Sequence, residues 1–177
     1  VTLMYMAEGL DTGDMIAKAE TPIGRKTSEE LLRELAATGA ELLLDTLPAI
    51  ENGTNQREAQ DDRLASYAPM LSKEDGKIDF EKSPEEIERR IRGTLPWPGA
   101  YTLLDGELFK IFAADVPDGA SEAAPGTVLS AGENGIDVAA GGRILRILEV
   151  QAAGRKRMRA ADYVRGRKLD SGKRLGE

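Results

Sequence analysis

The stretch Gly9-Leu10-Asp11-Thr12-Gly13-Asp14 sets two carboxylates among glycines and a threonine hydroxyl. Such a loop can accept a proton, order a water or steady another catalytic group. A carboxylate supplies none of the hydrogen-bond donors that a developing oxyanion needs, so acyl-type chemistry would require partners. The chain contains no histidine and no cysteine, which excludes Ser-His-Asp triads, thiol nucleophiles, disulfides and zinc-cysteine sites. Asp, Glu, Lys, Tyr, Ser and Thr are what remains. Leu10-Asp11-Thr12-Gly13 also has the form of an aspartic-protease loop, but those enzymes pair two such aspartates around one proton. Here the motif occurs once. The alternating acids and closing glutamate of a calcium loop are absent. On residue types alone, a turn shaped by Asp and Gly is favoured over a catalytic role.

The second candidate is the basic end of the chain. Between positions 142 and 177 there are eleven Lys or Arg and four Asp or Glu, although the whole chain carries a net charge of -7. Arg155, Lys156 and Arg157 form a run, followed by Arg159, Arg165, Arg167 and Lys168. A solvated charged loop is one reading. A face that grips a polyanion through its phosphates is the other. Arg89, Arg90 and Arg92 are expected to pair with Glu85, Glu86 and Glu88 along a short helix, and Trp97, between prolines, is expected as a packing corner.

The elements that must position these residues divide the chain. Val1-Thr2-Leu3-Met4-Tyr5-Met6 and Met15-Ile16-Ala17-Lys18-Ala19-Glu20 have strand composition on either side of the acidic loop. Thr27 with Glu30 reads as a capping box, and Leu31, Leu35, Leu42, Leu43, Leu47 and Ile50 follow at helical spacing, with a kink expected at Pro48. Residues 52–70 are polar and aperiodic, as in a linker. Ser83-Pro84-Glu85-Glu86 predicts a helix start, with Ile87, Ile91 and Leu95 on its apolar side. Strands are predicted at 101–104, 107–114, 126–130, 135–140 and 143–150, the first two joined by Asp105-Gly106, and a last helix at about 160–167. Five short strands with glycine corners suggest a small barrel of the OB type. The fold expected is α+β: a strand-loop-strand-helix unit at 1–53, a linker at 54–72, and an OB-like five-stranded barrel with short helices at 73–177.

Longer context adds a resemblance. Val1-Thr2-Leu3-Met4 through Gly9-Leu10-Asp11-Thr12-Gly13-Asp14-Met15, with Leu71-Ser72-Lys73-Glu74, Ile78-Asp79-Phe80, Pro96-Trp97-Pro98-Gly99-Ala100, Ala124-Pro125-Gly126-Thr127 and Ala153-Gly154-Arg155-Lys156-Arg157-Met158, is similar to the bacterial methionyl-tRNA formyltransferases. The resemblance implies transfer of a formyl group from 10-formyltetrahydrofolate to the amino group of methionine on initiator tRNA, with no metal. It implies a Rossmann-like catalytic domain followed by an OB-like domain. Asp11 matches the family's catalytic aspartate, which works with an asparagine and a histidine that this chain lacks. Gly9 and Leu10 match the segment beside the folate ring, and Arg155, Lys156, Arg157, Arg159, Arg165, Arg167 and Lys168 would face the tRNA.

The chain is therefore expected to be a C-terminal fragment of a cytoplasmic enzyme, inactive alone and still able to bind tRNA. No run approaches the ~20 apolar residues that span a bilayer, so no membrane partner is expected. Without a sheet to pack on, the first 50 residues should self-associate or lose order, and proteolysis should begin between 52 and 70. Sugar-nucleotide formyltransferases share the acidic loop, and the basic tail favours tRNA over them. A stand-alone RNA-binding barrel and a dimeric aspartic protease stay open as readings from other classes.

Overall fold

Thr27 starts the first helix where its spacing predicts. In the computed structural model, which describes residues 1–177, its hydroxyl accepts from the Glu30 amide at 3.3 Å while the Glu30 carboxylate accepts from the Thr27 amide at 2.8 Å. Both halves of the capping box are thus made. Helix α1 spans Ser28–Glu51 and continues through Pro48 to its last turn. Strands β1 (Thr2–Met4) and β2 (Met15–Lys18) form an antiparallel ribbon, and α1 packs on it. Two strands cover only one stripe of a helix. Leu31, Leu35, Leu42 and Ile50 are half-buried on that stripe, whereas Leu43 and Leu47, expected inward, are exposed together with Leu32 and Leu44. No residue of α1 is fully buried.

The polar stretch after α1 comes back to the ribbon. Met15 and Glu58 exchange backbone hydrogen bonds of 2.8 and 2.9 Å. After a 3-10 turn at Asp62–Leu64, residues 65–70 are exposed and irregular. The chain resolves into two units, Val1–Met70 and Leu71–Glu177.

In the second unit, the Ser83 hydroxyl accepts from the Glu86 amide and Pro84 takes the first helical position, where no donor is needed. Helix α2 (Pro84–Gly93) buries Ile87 and Ile91. Leu95 lies past its end, buried in the following turn. Trp97 is 55% exposed and so is not the packing corner expected of it; Thr94 and Leu95 occupy the buried places at that turn.

All five predicted strands form: β3 (Ala100–Leu104), β4 (Glu107–Asp115), β5 (Val128–Gly132), β6 (Gly135–Ala140) and β7 (Arg143–Ala152). A sixth, β8 (Met158–Arg159), pairs with β7. The order is β3-β4-β7-β6-β5, all antiparallel. Asp105 and Gly106 both take positive φ, 58° and 75°, which matches the twist of a two-residue hairpin turn. The buried side of β4 runs Phe109, Ile111, Ala114 and that of β7 runs Leu145, Ile147, Val150. Each skips one residue, and the β4–β7 register shifts at the same place, so a bulge bends the sheet over its own core. Helix α3 (Ala160–Gly166) lays Tyr163 against Phe109, ring centroids 5.2 Å apart.

The sheet has six strands where five were expected, and the path of its strand pairing is open. The last residues lace its two edges together. Gly172 donates to Val128 O and Leu175 to Gly126 O, both at 2.8 Å, and Gly176 donates to Leu103 O at 2.9 Å. The molecule is α+β, and no helix is long and apolar enough to cross a membrane.

Candidate functional site

The acidic loop joins β1 to β2 and is held in a conformation that needs its particular residues. Asp11 has φ 51°, in the left-handed region where Asp is one of the few tolerated side chains. Gly13 is buried, and a Cβ there would lie 1.7 Å from Tyr5 O, so only glycine fits. The Thr12 hydroxyl donates to Gly9 O at 3.1 Å. Gly9, Leu10 and Asp11 are all exposed, Leu10 at 96%. The Asp11 carboxylate engages no side chain, whereas Asp14 is paired with Arg57 at 3.1 Å. Of the two acids, Asp11 alone is available to a reacting group.

What sequence reasoning missed is how this loop is braced. Gln60 donates from its side-chain amide to Asp11 O at 2.7 Å and to Gly13 O at 2.8 Å. Arg57 lies over the Tyr5 ring, 4.2 Å from its centroid, while the Tyr5 hydroxyl donates to Asn55 Oδ1 at 3.0 Å. The segment 55–60 therefore straps the loop, although its polar composition reads as linker. A polar side chain that serves backbone carbonyls 47 and 49 residues away leaves no periodic trace.

The basic residues come from the β7–β8 turn, β8, α3 and the chain beyond it. All seven are exposed. Arg157 pairs with Glu149 and lies 4.6 Å over the Phe112 ring. Arg165 pairs with Asp162 at 3.1 Å, Arg167 with Asp105 at 3.1 Å, and Lys168 with Asp170 at 2.8 Å. Asp170 holds the Lys168 ammonium above its usual range, first by the hydrogen bond and then by charge. Arg155, Lys156 and Arg159 have no carboxylate partner. Arg155 and Arg167 line one cavity of about 340 Å³ with Met158, Asp162 and Tyr163. Arg159 lines a separate cavity of the same size, beside Glu133 and Glu149. The seven cations are thus clustered in sequence, yet three of them line two separate cavities, and four are paired with acids while three are not. The α2 arginines divide as well: Arg92 pairs with Glu88 at 2.7 Å as expected, while Glu85 reaches Arg143 and Arg90 donates to Asp75 O at 2.9 Å.

The profile of the family described as Formyl transferase, C-terminal domain, matches residues 70–168. A methionyl-tRNA formyltransferase of Citrifermentans bemidjiense is 46% identical over 178 aligned positions, spanning 100% of this chain and 55% of the relative. One of Bacillus velezensis is 45% identical, spanning 100% of this chain and 56% of the relative. The chain spans little more than half the length of the curated relatives that it matches. Among solved structures, the crystal structure of HypX from Aquifex aeolicus in complex with tetrahydrofolic acid superposes with a TM-score of 0.67 at 20% identity, over 92% of this chain and 29% of that one. The sugar 3N-formyl transferase WlaRD gives 0.64 at 20% identity, over 88% of this chain and 55% of that one. At those identities the likeness is one of fold.

Proposed function

The chain belongs to the formyl transferase C-terminal domain family, and on that premise we propose that it is part of a methionyl-tRNA formyltransferase, which moves a formyl group from 10-formyltetrahydrofolate to methionyl-initiator tRNA in translation initiation. The observation that carries this reading is the 46% identity to a methionyl-tRNA formyltransferase along the whole of the chain, both units included. The sugar-acting relatives resemble it at 20%. The dimeric aspartic-protease reading loses its footing, since the relatives that match along the whole of the chain are methionyl-tRNA formyltransferases.

Within this reading each unit has a task. When bound, the folate supplies the activated formyl group. The attacking amine of methionine must lose a proton as it bonds to carbon, and Asp11, exposed and unpaired, is the group of this chain placed to accept or relay it. Gly9 and Leu10 border the donor with backbone. Oxyanion donors come from outside these 177 residues, so the chain alone is inactive. Leu71–Glu177 is the OB-like, tRNA-gripping unit: its bulged sheet with laced edges supports the barrel reading, and Arg155, Lys156 and Arg159 support phosphate contact, which positions RNA without reading its sequence. Residues 1–53 are then the tail of the catalytic domain, and of the stretch 54–72 expected as the connection, 55–60 brace that domain's loop and the rest connects. The outward leucines of α1 support self-association of the isolated chain.

The test is a chimaera that places this chain behind the N-terminal part of the Citrifermentans bemidjiense enzyme. Formylation of methionyl-initiator tRNA should appear, and Asp11→Asn should slow it by on the order of a hundredfold or more. A chimaera that formylates equally well with Asn at that position would remove Asp11 from the mechanism. Formylation by the 177-residue chain alone would contradict the division of labour.

A further inference from the structure

Asp11 stands in an unfavourable backbone conformation on a loop that is open to solvent, and something must hold it there. Its neighbours do only part of this. The Thr12 hydroxyl closes the turn onto Gly9 O at 3.1 Å, and Tyr5 donates its amide to Asp14 O at 3.0 Å, fixing the loop's two ends. Neither touches the carbonyls of Asp11 and Gly13, the residues on either side of Thr12. Those are bound by one side chain: the Gln60 amide nitrogen gives its two hydrogens to Asp11 O at 2.7 Å and Gly13 O at 2.8 Å. Pinning two carbonyls two residues apart with one planar NH₂ leaves the intervening backbone little freedom. Gln60 is itself carried by a fixed backbone, because Glu58 is paired with Met15 and Arg57 with Asp14 on the same strap.

We propose that Gln60 is a positioning residue: by donating to Asp11 O and Gly13 O it holds Asp11 in its left-handed conformation and so aims the carboxylate. The proposal rests on the formyl-transfer reading for the purpose of that aim, but not for the geometry. No acidic residue could replace the glutamine at neutral pH. A carboxylate of identical shape would set negative charge against two carbonyl oxygens, and a protonated carboxyl could restore one of the two bonds.

This gives a test on the 177-residue chain. Gln60→Glu and Gln60→Ala are compared with the parent by NMR, reading the Asp11 φ from its amide–α coupling and carbon shifts. Exchange of the Met15 and Glu58 amides serves as the control for the strap. At neutral pH both variants should lose the left-handed signature of Asp11, with a loop opening about tenfold more populated, while the Met15 and Glu58 amides stay protected. On acidification below the ordinary carboxyl range, Gln60→Glu should recover part of the signature and Gln60→Ala should not. Three results would overturn the proposal: an unchanged Asp11 conformation in Gln60→Glu, no difference between the two variants in acid, or loss of Met15 and Glu58 protection, which would make Gln60 a general support of the fold. The chimaera separates this from the function itself. If the chimaera formylates nothing, the functional reading falls, and if Asp11→Asn leaves formylation intact, the catalytic role of Asp11 falls; in either case the coupling measurement still decides the role of Gln60.

Discussion

At the scale of residues, availability sorts the charges better than their identity does. Asp11 and Asp14 look equivalent in sequence, yet Arg57 occupies one and nothing occupies the other. Likewise Arg165, Arg167 and Lys168 are engaged by nearby acids, and each would have to exchange a carboxylate for a phosphate on binding RNA. Such exposed pairs are weak, so the exchange is cheap but adds little. Asp105 has a different part: Lys173 by hydrogen bond, and then Lys173 and Arg167 by charge, keep its carboxyl below its ordinary 3.8. A carboxyl depressed in the folded state stabilises it fully above the unfolded value and stops doing so as the pH falls through the folded one. Asp105→Asn should therefore lower the melting temperature at neutral pH, and the difference from the parent should shrink as the pH is taken below 3.8; thermal melts across that range check it. A difference that grew in acid would reverse the sign.

At the scale of elements, what the sequence discloses depends on the distance over which the information is written. The capping box of Thr27 and Glu30, the Ser83-Pro84 helix start and the Asp105-Gly106 turn are local chemistry, and each is legible. Strand β8, the bulge that shifts the buried side of β4 and β7, and the strap at 55–60 depend on partners far along the chain and show no period. The inward set of α1 was only partly legible, because the helix spacing does not say how wide a surface will receive it. Beyond the strap the chain changes character. Leu64, Tyr67 and Met70 are 81%, 92% and 95% exposed, and residues 65–70 form no regular structure. Chymotrypsin should cut first at Tyr67 and leave a resistant fragment that begins near Leu71; first cleavage inside β3–β7 would contradict the two-unit description.

For the whole molecule, a net charge of -7 conceals an acidic front and a basic end, and it is the basic end that the account asks to hold RNA. Affinity from phosphate contacts must fall as salt rises, with a log–log slope that counts the contacts. Arg155, Lys156 and Arg159 are the cations with no acid to leave, so they should dominate that slope. The most direct measurement is binding of initiator tRNA to the 177-residue chain over a series of salt concentrations, for the parent and for the triple replacement of Arg155, Lys156 and Arg159 by alanine. Affinity should weaken steeply with salt in the parent, and the slope should be smaller by roughly three in the triple variant. Binding indifferent to salt, or a triple variant that binds like the parent, would contradict it.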